Sequence, residues 1–336
     1  MFADRKDQKM NSLVVEIGPE RAQLRGVITR PEKELSLVGR CVILGEDYGF
    51  TNTSSIVVVR SASPISQDVL DFIDGNPGKA ATRAYLEGHI SDDEDIEVLE
   101  RWQISGKNFL DLVKSHASKV DDLRGEIDRC YNRLNRIRKE INRSAGLPLD
   151  TLVPQEAATV LGSTVEQERY SKMHGRFFRL LAGISKLKAR RRDVYRKVAA
   201  IKASWLGHVA NIKIRLAEKH GAAVVSEDLT ILTIPKDDPN YKGRTFNKMI
   251  NNGAKGQYIR RSEDKMKWRG IAHLRVPSFY SSTTDWRTAI VDKKQRNKDI
   301  FTARDGATWD ADLHAGEMLA RWLFLKPKNE REIPVL

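Results

Sequence analysis

Residues 39–59 read GRCVILGEDYGFTNTSSIVVV, and this stretch decides the fold. An apolar run at residues 41–44 leads to two acids, Glu46 and Asp47, and a turn at Gly49 separates them from a second apolar run. The pattern predicts a β-hairpin with a carboxylate on its first strand, near the turn. Because a carboxylate in a buried strand is costly unless it is paired, we expect a cation, a hydrogen-bond network or a bound metal beside it.

The rest of the chain alternates strand and helix patterns. Residues 91–100, SDDEDIEVLE, are typical of a solvated helix start, where acids are favoured by the helix dipole. A polar, basic loop is predicted at residues 233–256 and an irregular, basic segment at residues 286–309. The other predicted elements are a strand pair (13–17 and 23–28), helices (within 61–76, at 80–88 and at 257–269), strands (222–229 and 271–276) and a last helix that opens near residue 310.

Two long helical tracts, residues 106–143 and 165–219, flank a Gly- and Pro-containing linker. Each tract has an apolar stripe and a face rich in arginine and lysine. A basic stripe of this kind favours contact with phosphates, while the alternatives are a solvated charged face and a coiled-coil partner surface. The candidate nucleic-acid-binding residues are Arg133, Arg136, Lys186, Arg190, Arg191 and Arg196 on these tracts, Arg260 and Arg261 on the later basic helix, and Tyr280 in a polar loop.

Composition narrows the class of partner. Lys and Arg total 58 against 45 Asp and Glu, a net charge of +13, which favours a polyanionic partner such as nucleic acid over a merely basic surface.

No apolar run approaches the ~20 residues that cross a bilayer, and the first residues lack the apolar core of a signal peptide, so we expect a soluble, intracellular protein without a membrane partner. Two cysteines exclude a disulfide framework and a four-cysteine zinc site. No phosphate-binding loop or dinucleotide fingerprint occurs, so no small-molecule cofactor is expected.

Three acids stand at comparable places in the predicted elements. Asp47 lies on the first strand of the hairpin, Glu227 ends a strand that follows a long helix, and Asp312 opens the last helix. Asp310 is the alternative to Asp312, and either can be a helix N-cap. Together the acids resemble the RNase H-like arrangement, an α/β fold in which carboxylates at one end of a mixed sheet hold two divalent ions about 4 Å apart. Mg²⁺, or Mn²⁺, suits such oxygen ligands.

The local strings resemble the RuvC-like nuclease half of the transposon-encoded TnpB proteins and the related type V CRISPR effectors. LGEDYG, residues 44–49, is similar to a first motif Gly-x-Asp-x-Gly and maps the metal-binding aspartate to Asp47. VVSEDL, residues 224–229, is similar to the second motif and maps its glutamate to Glu227. DADLHA, residues 310–315, is similar to the third motif, Asp-x-Asn-Ala, and maps its aspartate to Asp312. The helix, strand and loop that connect the second and third motifs are also similar to those of the family, and the whole resemblance covers about residues 40–322.

This resemblance implies an RNase H-like (RuvC-like) mixed sheet with flanking helices and a long inserted helical hairpin. It also implies a cytoplasmic, metal-dependent DNA endonuclease of prokaryotic or viral type, with a guide RNA as a further partner. The expected parts are an N-terminal strand pair (1–38), the first part of the RuvC-like domain (39–100), an inserted basic helical region (101–205), the second part of the domain (206–234), a zinc-less target-binding-like insertion with a basic helix and strand (235–305), and the final helix and tail (306–336).

The chain departs from the family pattern at three points. The family commonly carries two Cys-x-x-Cys pairs between the second and third acids, and this sequence has none there. His314 stands where an asparagine is usual, and only 46 residues precede Asp47. The short leading region favours the alternative of a structure-selective nuclease, such as a Holliday-junction resolvase. A non-catalytic nucleic-acid-binding relative is the remaining alternative.

Overall fold

The computed structural model describes residues 9–17, 22–29, 36–49, 52–155, 163–228 and 255–328. The predicted basic loop at 233–256 therefore lies almost wholly outside the described residues. The chain forms two compact units, one of residues 1–106 with 206–336 and the other of residues 107–205. Within the described residues, no helix combines the length and the apolar character that crossing a membrane requires.

The larger unit contains a five-stranded mixed sheet in the order β6-β4-β3-β7-β8. The strands of the chain are β1 (Lys9–Ile17), β2 (Ala22–Thr29), β3 (Val42–Asp47), β4 (Asn52–Ser61), β5 (His89–Ile90), β6 (Ile96–Ser105), β7 (Ala223–Glu227), β8 (His273–Val276), β9 (Thr284–Asp285), β10 (Ile290–Val291), β11 (Arg296–Asn297), β12 (Ile300–Thr302), β13 (Thr308–Asp310) and β14 (Lys326–Pro327). Strands β3, β4 and β6 pair antiparallel, whereas β7 and β8 add to β3 in parallel. The predicted mixed α/β architecture is thus confirmed.

Six α-helices accompany these strands in the described part of the chain. They are α1 (Gln67–Asp74), α2 (Lys79–Gly88), α3 (Lys107–Ser144), α4 (Thr164–His220), α5 (Lys255–Arg269) and α6 (Ala311–Arg321). Helix α4 ends where Gly221 adopts φ +62°, a left-handed conformation that glycine takes without a steric cost. The predicted helical tracts and the stop at Gly221 are therefore confirmed, while residues 156–162 of the predicted linker lie outside the described residues.

The hairpin of residues 39–59 lies at the centre of the sheet, because β3 is bordered by β4 and β7. In β3 and β4, Asp47 pairs with Ser55 and Val42 pairs with Arg60. Strand β4 is buried along nearly its whole length, which explains its continuous apolar run rather than an alternating one. The strand pair predicted at 13–17 and 23–28 is also present, as β1 and β2.

Two local predictions are wrong. The acidic run was expected to start a helix, but residues 96–105 form β6, which pairs antiparallel with β4. Residues 286–309 were expected to be irregular, but they contain short strands, of which β11, β12 and β13 form a small antiparallel sheet. Strand β6 forms because it pairs with β4, which is distant in the sequence, and β11, β12 and β13 are too short to show a strand pattern. Local composition therefore does not reveal either structure.

The smaller unit is a helical hairpin built from α3 and the first part of α4. Apolar side chains of the two helices interlock along its length, as the predicted stripes required. The buried members are Ile127, Leu134, Ile137, Ile141, Tyr170, Phe177, Ile184 and Leu187.

Helix α6 packs unusually close to the sheet, and two glycines make this possible. A Cβ built on Gly45 of β3 would lie 2.1 Å from the carbonyl oxygen of Gly316, and a Cβ on Gly316 would lie 2.8 Å from the carbonyl oxygen of Ser55. No side chain fits at either position unless the helix moves away from the strand. The close contact brings the start of α6 to the hairpin.

Gly45→Ala is expected to lower the free energy of unfolding by about 1–3 kcal/mol, because the added methyl group meets backbone atoms that cannot turn aside. Gly183→Ala is the matched control, since nothing lies within 4 Å of its added Cβ in helix α4. That substitution is expected to stabilise the protein by about 0.5–1 kcal/mol. Denaturant unfolding of both variants measures the difference, and equal stability of Gly45→Ala and the wild type would contradict the close packing.

Candidate functional site

Asp47 and Glu227 are the last residues of two adjacent parallel strands, β3 and β7. The register pairs Glu46 with Ser226. The next residue of each strand, Asp47 and Glu227, therefore lies beside the other, on strands about 4.8 Å apart. Side chains alternate along a strand, and Gly45, two residues before Asp47, faces α6. The register and the alternation therefore put both acids on the sheet face that α6 covers.

Asp312 lies in the first turn of α6. Its Oδ2 accepts a hydrogen bond of 3.0 Å from Nδ2 of Asn52, the residue that begins β4 after the hairpin turn. Its Oδ1 forms an ion pair of 2.9 Å with Arg296. These contacts hold the Asp312 carboxylate at the turn end of the hairpin, the end at which Asp47 lies.

Asp310 has a different role from Asp312. Its Oδ1 accepts hydrogen bonds from the backbone N–H groups of Asp312, at 3.0 Å, and Leu313, at 2.9 Å. It is therefore the N-cap of α6, and its carboxylate satisfies backbone donors that the helix leaves unpaired. Of the two candidates for a third acid, Asp312 is the one whose carboxylate the helix does not use.

Glu227 is held by the loop that follows β8. Oγ of Ser281 donates a hydrogen bond of 2.5 Å to Oε1 of Glu227. The preceding residue, Tyr280, has φ +69°, a conformation that is rare for a bulky side chain. Backbone strain of this kind persists where surrounding contacts hold it, and it concentrates at functional sites.

The donor set at this end of the sheet suits a hard divalent cation. Carboxylates of Asp47, Glu227 and Asp312 supply oxygen ligands of the kind Mg²⁺ prefers. Over the described ranges, however, no three His, Cys, Asp or Glu side chains are grouped so that they could hold a metal as they stand. Arg296 places a positive charge 2.9 Å from Oδ1 of Asp312, so the guanidinium would compete with a metal ion for this carboxylate.

Glu46 lies on the face of β3 opposite Asp47, because side chains alternate along a strand. It is buried, with only 2% of its surface exposed. Its carboxylate accepts a hydrogen bond of 2.6 Å from Nζ of Lys213, one of 2.5 Å from Oγ of Ser54 and a short one from the hydroxyl of Tyr258. Burial and the adjacent Glu46 charge raise the pKa of Tyr258 well above its usual value. The predicted compensation for a buried strand acid is therefore realised by a lysine and two hydroxyls, at Glu46.

His314 is enclosed by aromatic rings within the larger unit. Phe301 stacks on it with ring centroids 3.5 Å apart and Trp286 with centroids 4.6 Å apart. Burial lowers the pKa of His314 to about 3, so the ring is neutral at pH 7. Nε2 lies 2.9 Å from the carbonyl oxygen of Thr284, which only accepts, so Nε2 carries the proton.

The candidate nucleic-acid-binding residues lie on both units. On the helical hairpin, Arg191 is half-buried, and the exposed ones are Arg133, Arg136, Lys186, Arg190 and Arg196. On α5, Arg260 and Arg261 are exposed, and Tyr280 is half-buried. These exposures are compatible with the predicted phosphate contacts.

Sequence reasoning missed the residues that hold the acids. Asn52, Arg296 and Ser281 carry no local signal, because each is a common polar residue in a loop or at a strand end. Lys213 does carry one, since it lies four residues after Val209 and three before Leu216 on the buried face of α4. A lysine in that position requires an acid opposite it.

No protein-family model matches the sequence, and none of the curated proteins matches it either. The structure is similar to the solved "Structure of the mini-RNA-guided endonuclease CRISPR-Cas_phi3", with a TM-score of 0.45 and 15% identity over 86% of this chain and 46% of that chain. It is also similar to CasPhi-2 (Cas12j) bound to crRNA, with a TM-score of 0.42 and 14% identity over 84% of this chain and 48% of that chain. A third is the Cas12i1 R-loop complex after target DNA cleavage, with a TM-score of 0.41 and 15% identity over 87% and 32% of the two chains.

These solved structures are type V CRISPR effectors, the group that the sequence motifs resemble. The chain spans about half of the length of the first two and about a third of the last.

Proposed function

We propose that the chain is a metal-dependent nuclease with an RNase H-like, RuvC-like site that hydrolyses phosphodiester bonds in DNA. The observation that supports this proposal is the position of three acids on three elements. Asp47 and Glu227 end adjacent parallel strands on the face that α6 covers, and Asp312 stands in the first turn of that helix. Carboxylates that approach one another at the end of a sheet would repel one another unless cations neutralised them.

Asp47, Glu227 and Asp312 would hold the divalent ions, Mg²⁺ or Mn²⁺. The chemistry that such ions supply when bound is activation of a water and stabilisation of negative charge on the attacked phosphodiester. Asn52 keeps Asp312 oriented toward the hairpin, and Ser281 fixes Glu227 through its hydroxyl. The exposed arginines and lysines of the helical hairpin and α5 supply counter-charge to the nucleic acid.

Guidance by RNA is the version of this function that we favour, because the motifs resemble those of RNA-guided proteins. A basic helical hairpin in the smaller unit supplies a surface for a nucleic acid other than the cleaved strand. Sequencing the nucleic acid that co-purifies with the protein tests this version. A discrete small RNA is expected, and its absence would favour a structure-selective nuclease that recognises branched DNA.

A second candidate is a nucleic-acid-binding relative without catalysis. The ion pair of Arg296 with Asp312 favours it, because an arginine is a stable replacement for a cation beside this carboxylate. The two candidates differ in whether added metal produces cleavage.

The deciding experiment incubates the protein, with its co-purified nucleic acid, with single-stranded, duplex and four-way-junction DNA in Mg²⁺, in Mn²⁺ and in EDTA. Cleavage is expected with either metal and not in EDTA. Glu227→Gln is expected to lose cleavage by about 10³-fold, because a neutral amide is a far weaker ligand. Glu97→Gln is the matched control, since Glu97 is exposed and forms an ion pair with the exposed Arg60. Failure of the wild type to cut any of these substrates would leave the non-catalytic candidate.

A further inference from the structure

Two cationic side chains converge on one aromatic ring beside the candidate site. Lys79 Nζ lies 5.8 Å from the ring centroid of Tyr280, and the guanidinium carbon of Arg83 lies 6.0 Å from it. Both cations are on α2, four residues apart, so they share one face of that helix. Tyr280 directly precedes Ser281, whose hydroxyl binds Glu227.

The charges of this cluster, Lys79, Arg83 and Tyr280, are incompletely neutralised. In the part of the chain that the structure describes, Lys79 has no acidic partner within ion-pair distance, and its contact is the Tyr280 ring. Arg83 pairs with Glu87 at 2.8 Å, but both side chains are about half exposed, so the pair is weak. Like charges four residues apart on a helix repel, and an anion between them would remove this repulsion.

The backbone of Tyr280 is held by hydrogen bonds within its own loop. The Tyr280 carbonyl oxygen accepts hydrogen bonds from the backbone N–H of Thr283 at 2.9 Å and from Oγ1 of Thr284 at 2.8 Å. These contacts hold the left-handed backbone at Tyr280. A bulky residue kept in this conformation, one residue from the partner of a candidate metal ligand, is the kind of strain that persists for a function.

We propose that Lys79, Arg83 and Tyr280 form a contact for single-stranded DNA that positions the strand entering or leaving the Glu227 end of the site. This inference rests on the proposed nuclease function. The two cations bind consecutive phosphates, and the half-buried tyrosine ring packs against a sugar or base. Aromatic rings with flanking cations are how proteins hold a strand whose bases are exposed, and a base-paired duplex does not offer those faces.

The test measures binding without cleavage, so that it does not depend on catalysis. A fluorescein-labelled single-stranded DNA 20-mer is titrated with the protein in EDTA at several salt concentrations, and anisotropy gives Kd. For the Lys79→Ala/Arg83→Ala variant, the slope of log Kd against log salt is expected to fall by about 1.4, at about 0.7 per phosphate contact. At 0.1 M salt, the Kd of this variant is therefore expected to be about 25-fold higher than the Kd of the wild type. Tyr280→Leu is expected to weaken binding about fivefold or more, and Tyr280→Phe to retain it.

The matched control removes the same charge elsewhere. In Arg60→Ala/Lys219→Ala, both cations are surface residues paired with glutamates, and Arg60 lies opposite Val42, at the far end of β3 from Asp47. We expect its salt slope to stay near that of the wild type. If the two double variants lose affinity equally, net charge explains the effect and the contact is disproved. Circular dichroism confirms that each variant is folded.

The outcomes separate the contact from the catalytic proposal. If the wild type cleaves DNA but the Lys79→Ala/Arg83→Ala variant binds single strands as the wild type does, the contact is wrong and the nuclease stands. If no protein cleaves but this variant alone loses affinity, the nuclease is wrong and the contact stands. An RNA strand of the same sequence is the second arm, and a loss of affinity confined to RNA would overturn the assignment to DNA.

Discussion

Asp47→Asn is expected to lower metal-supported DNA cleavage by about 10³-fold or more, which is about 4 kcal/mol of transition-state stabilisation. Asp47 ends the central strand β3 between β4 and β7, so its backbone is fixed on both sides. A change from carboxylate to amide keeps the shape of the side chain and removes the negative charge that a divalent ion requires. The loss should therefore appear in the rate, while the fold and the melting temperature stay close to those of the wild type.

Binding of DNA in EDTA gives an independent reading of the same variant. Removing a negative charge near the substrate phosphates is expected to leave affinity unchanged or to raise it. A variant that loses both cleavage and binding would indicate a disturbed fold instead of a lost ligand. Cleavage by Asp47→Asn at the wild-type rate would exclude Asp47 from the reaction.

Asp310→Asn is the matched control for Asp312→Asn in the same assay. Asparagine is as good an N-cap as aspartate, so the helix keeps the hydrogen bonds that Asp310 accepts. We expect Asp310→Asn to retain cleavage within about threefold and Asp312→Asn to lose about 10³-fold. The reverse result would make Asp310 the third ligand, the alternative that the sequence alone left open.

The elements with strong periodicity could be predicted from the sequence, and those set by distant partners could not. The hairpin at residues 39–59 and helices α3 and α4 carry their own patterns over many residues. Strand β6 does not, because only Ile96 and Ile104 of its ten residues are buried. An edge strand carries charges on its solvent side, and the acidic run at residues 91–100, which includes the first half of β6, therefore has the composition of a helix start.

The acids of the candidate site could be selected because each stands at the end of an element. Their supporting contacts could not be selected, since they join residues far apart in the sequence. Lys213 and Glu46 are 167 residues apart, and Asn52 and Asp312 are 260 apart. The sequence pattern predicted that a carboxylate in the hairpin must be paired with a cation, a hydrogen-bond network or a metal. It did not identify that Glu46 receives the buried lysine while Asp47 remains at the α6 face.

That buried pair leads to the largest expected loss of stability. Lys213 and Glu46 are each 2% exposed and 2.6 Å apart. In Lys213→Met, the Glu46 carboxylate stays buried with hydrogen bonds from Ser54 and Tyr258 but without a counter-charge. Breaking a buried ion pair by removing one partner costs about 3–5 kcal/mol, and we expect a loss of that size in the free energy of unfolding.

A double-mutant cycle separates the lost charge from the lost packing. Glu46→Gln removes the unpaired charge, so Glu46→Gln/Lys213→Met is expected to recover much of the stability that Lys213→Met loses. Lys219→Met is the control, because Lys219 pairs with Glu100 while its own side chain is 61% exposed. Its loss should stay below about 1 kcal/mol. Denaturant unfolding followed by circular dichroism measures the wild type, the two single variants of the cycle, the double variant and Lys219→Met. If Lys213→Met costs no more than Lys219→Met, the Lys213–Glu46 pair does not hold β3 to α4, and the position of Asp47 must depend on the β4 and β7 pairings alone.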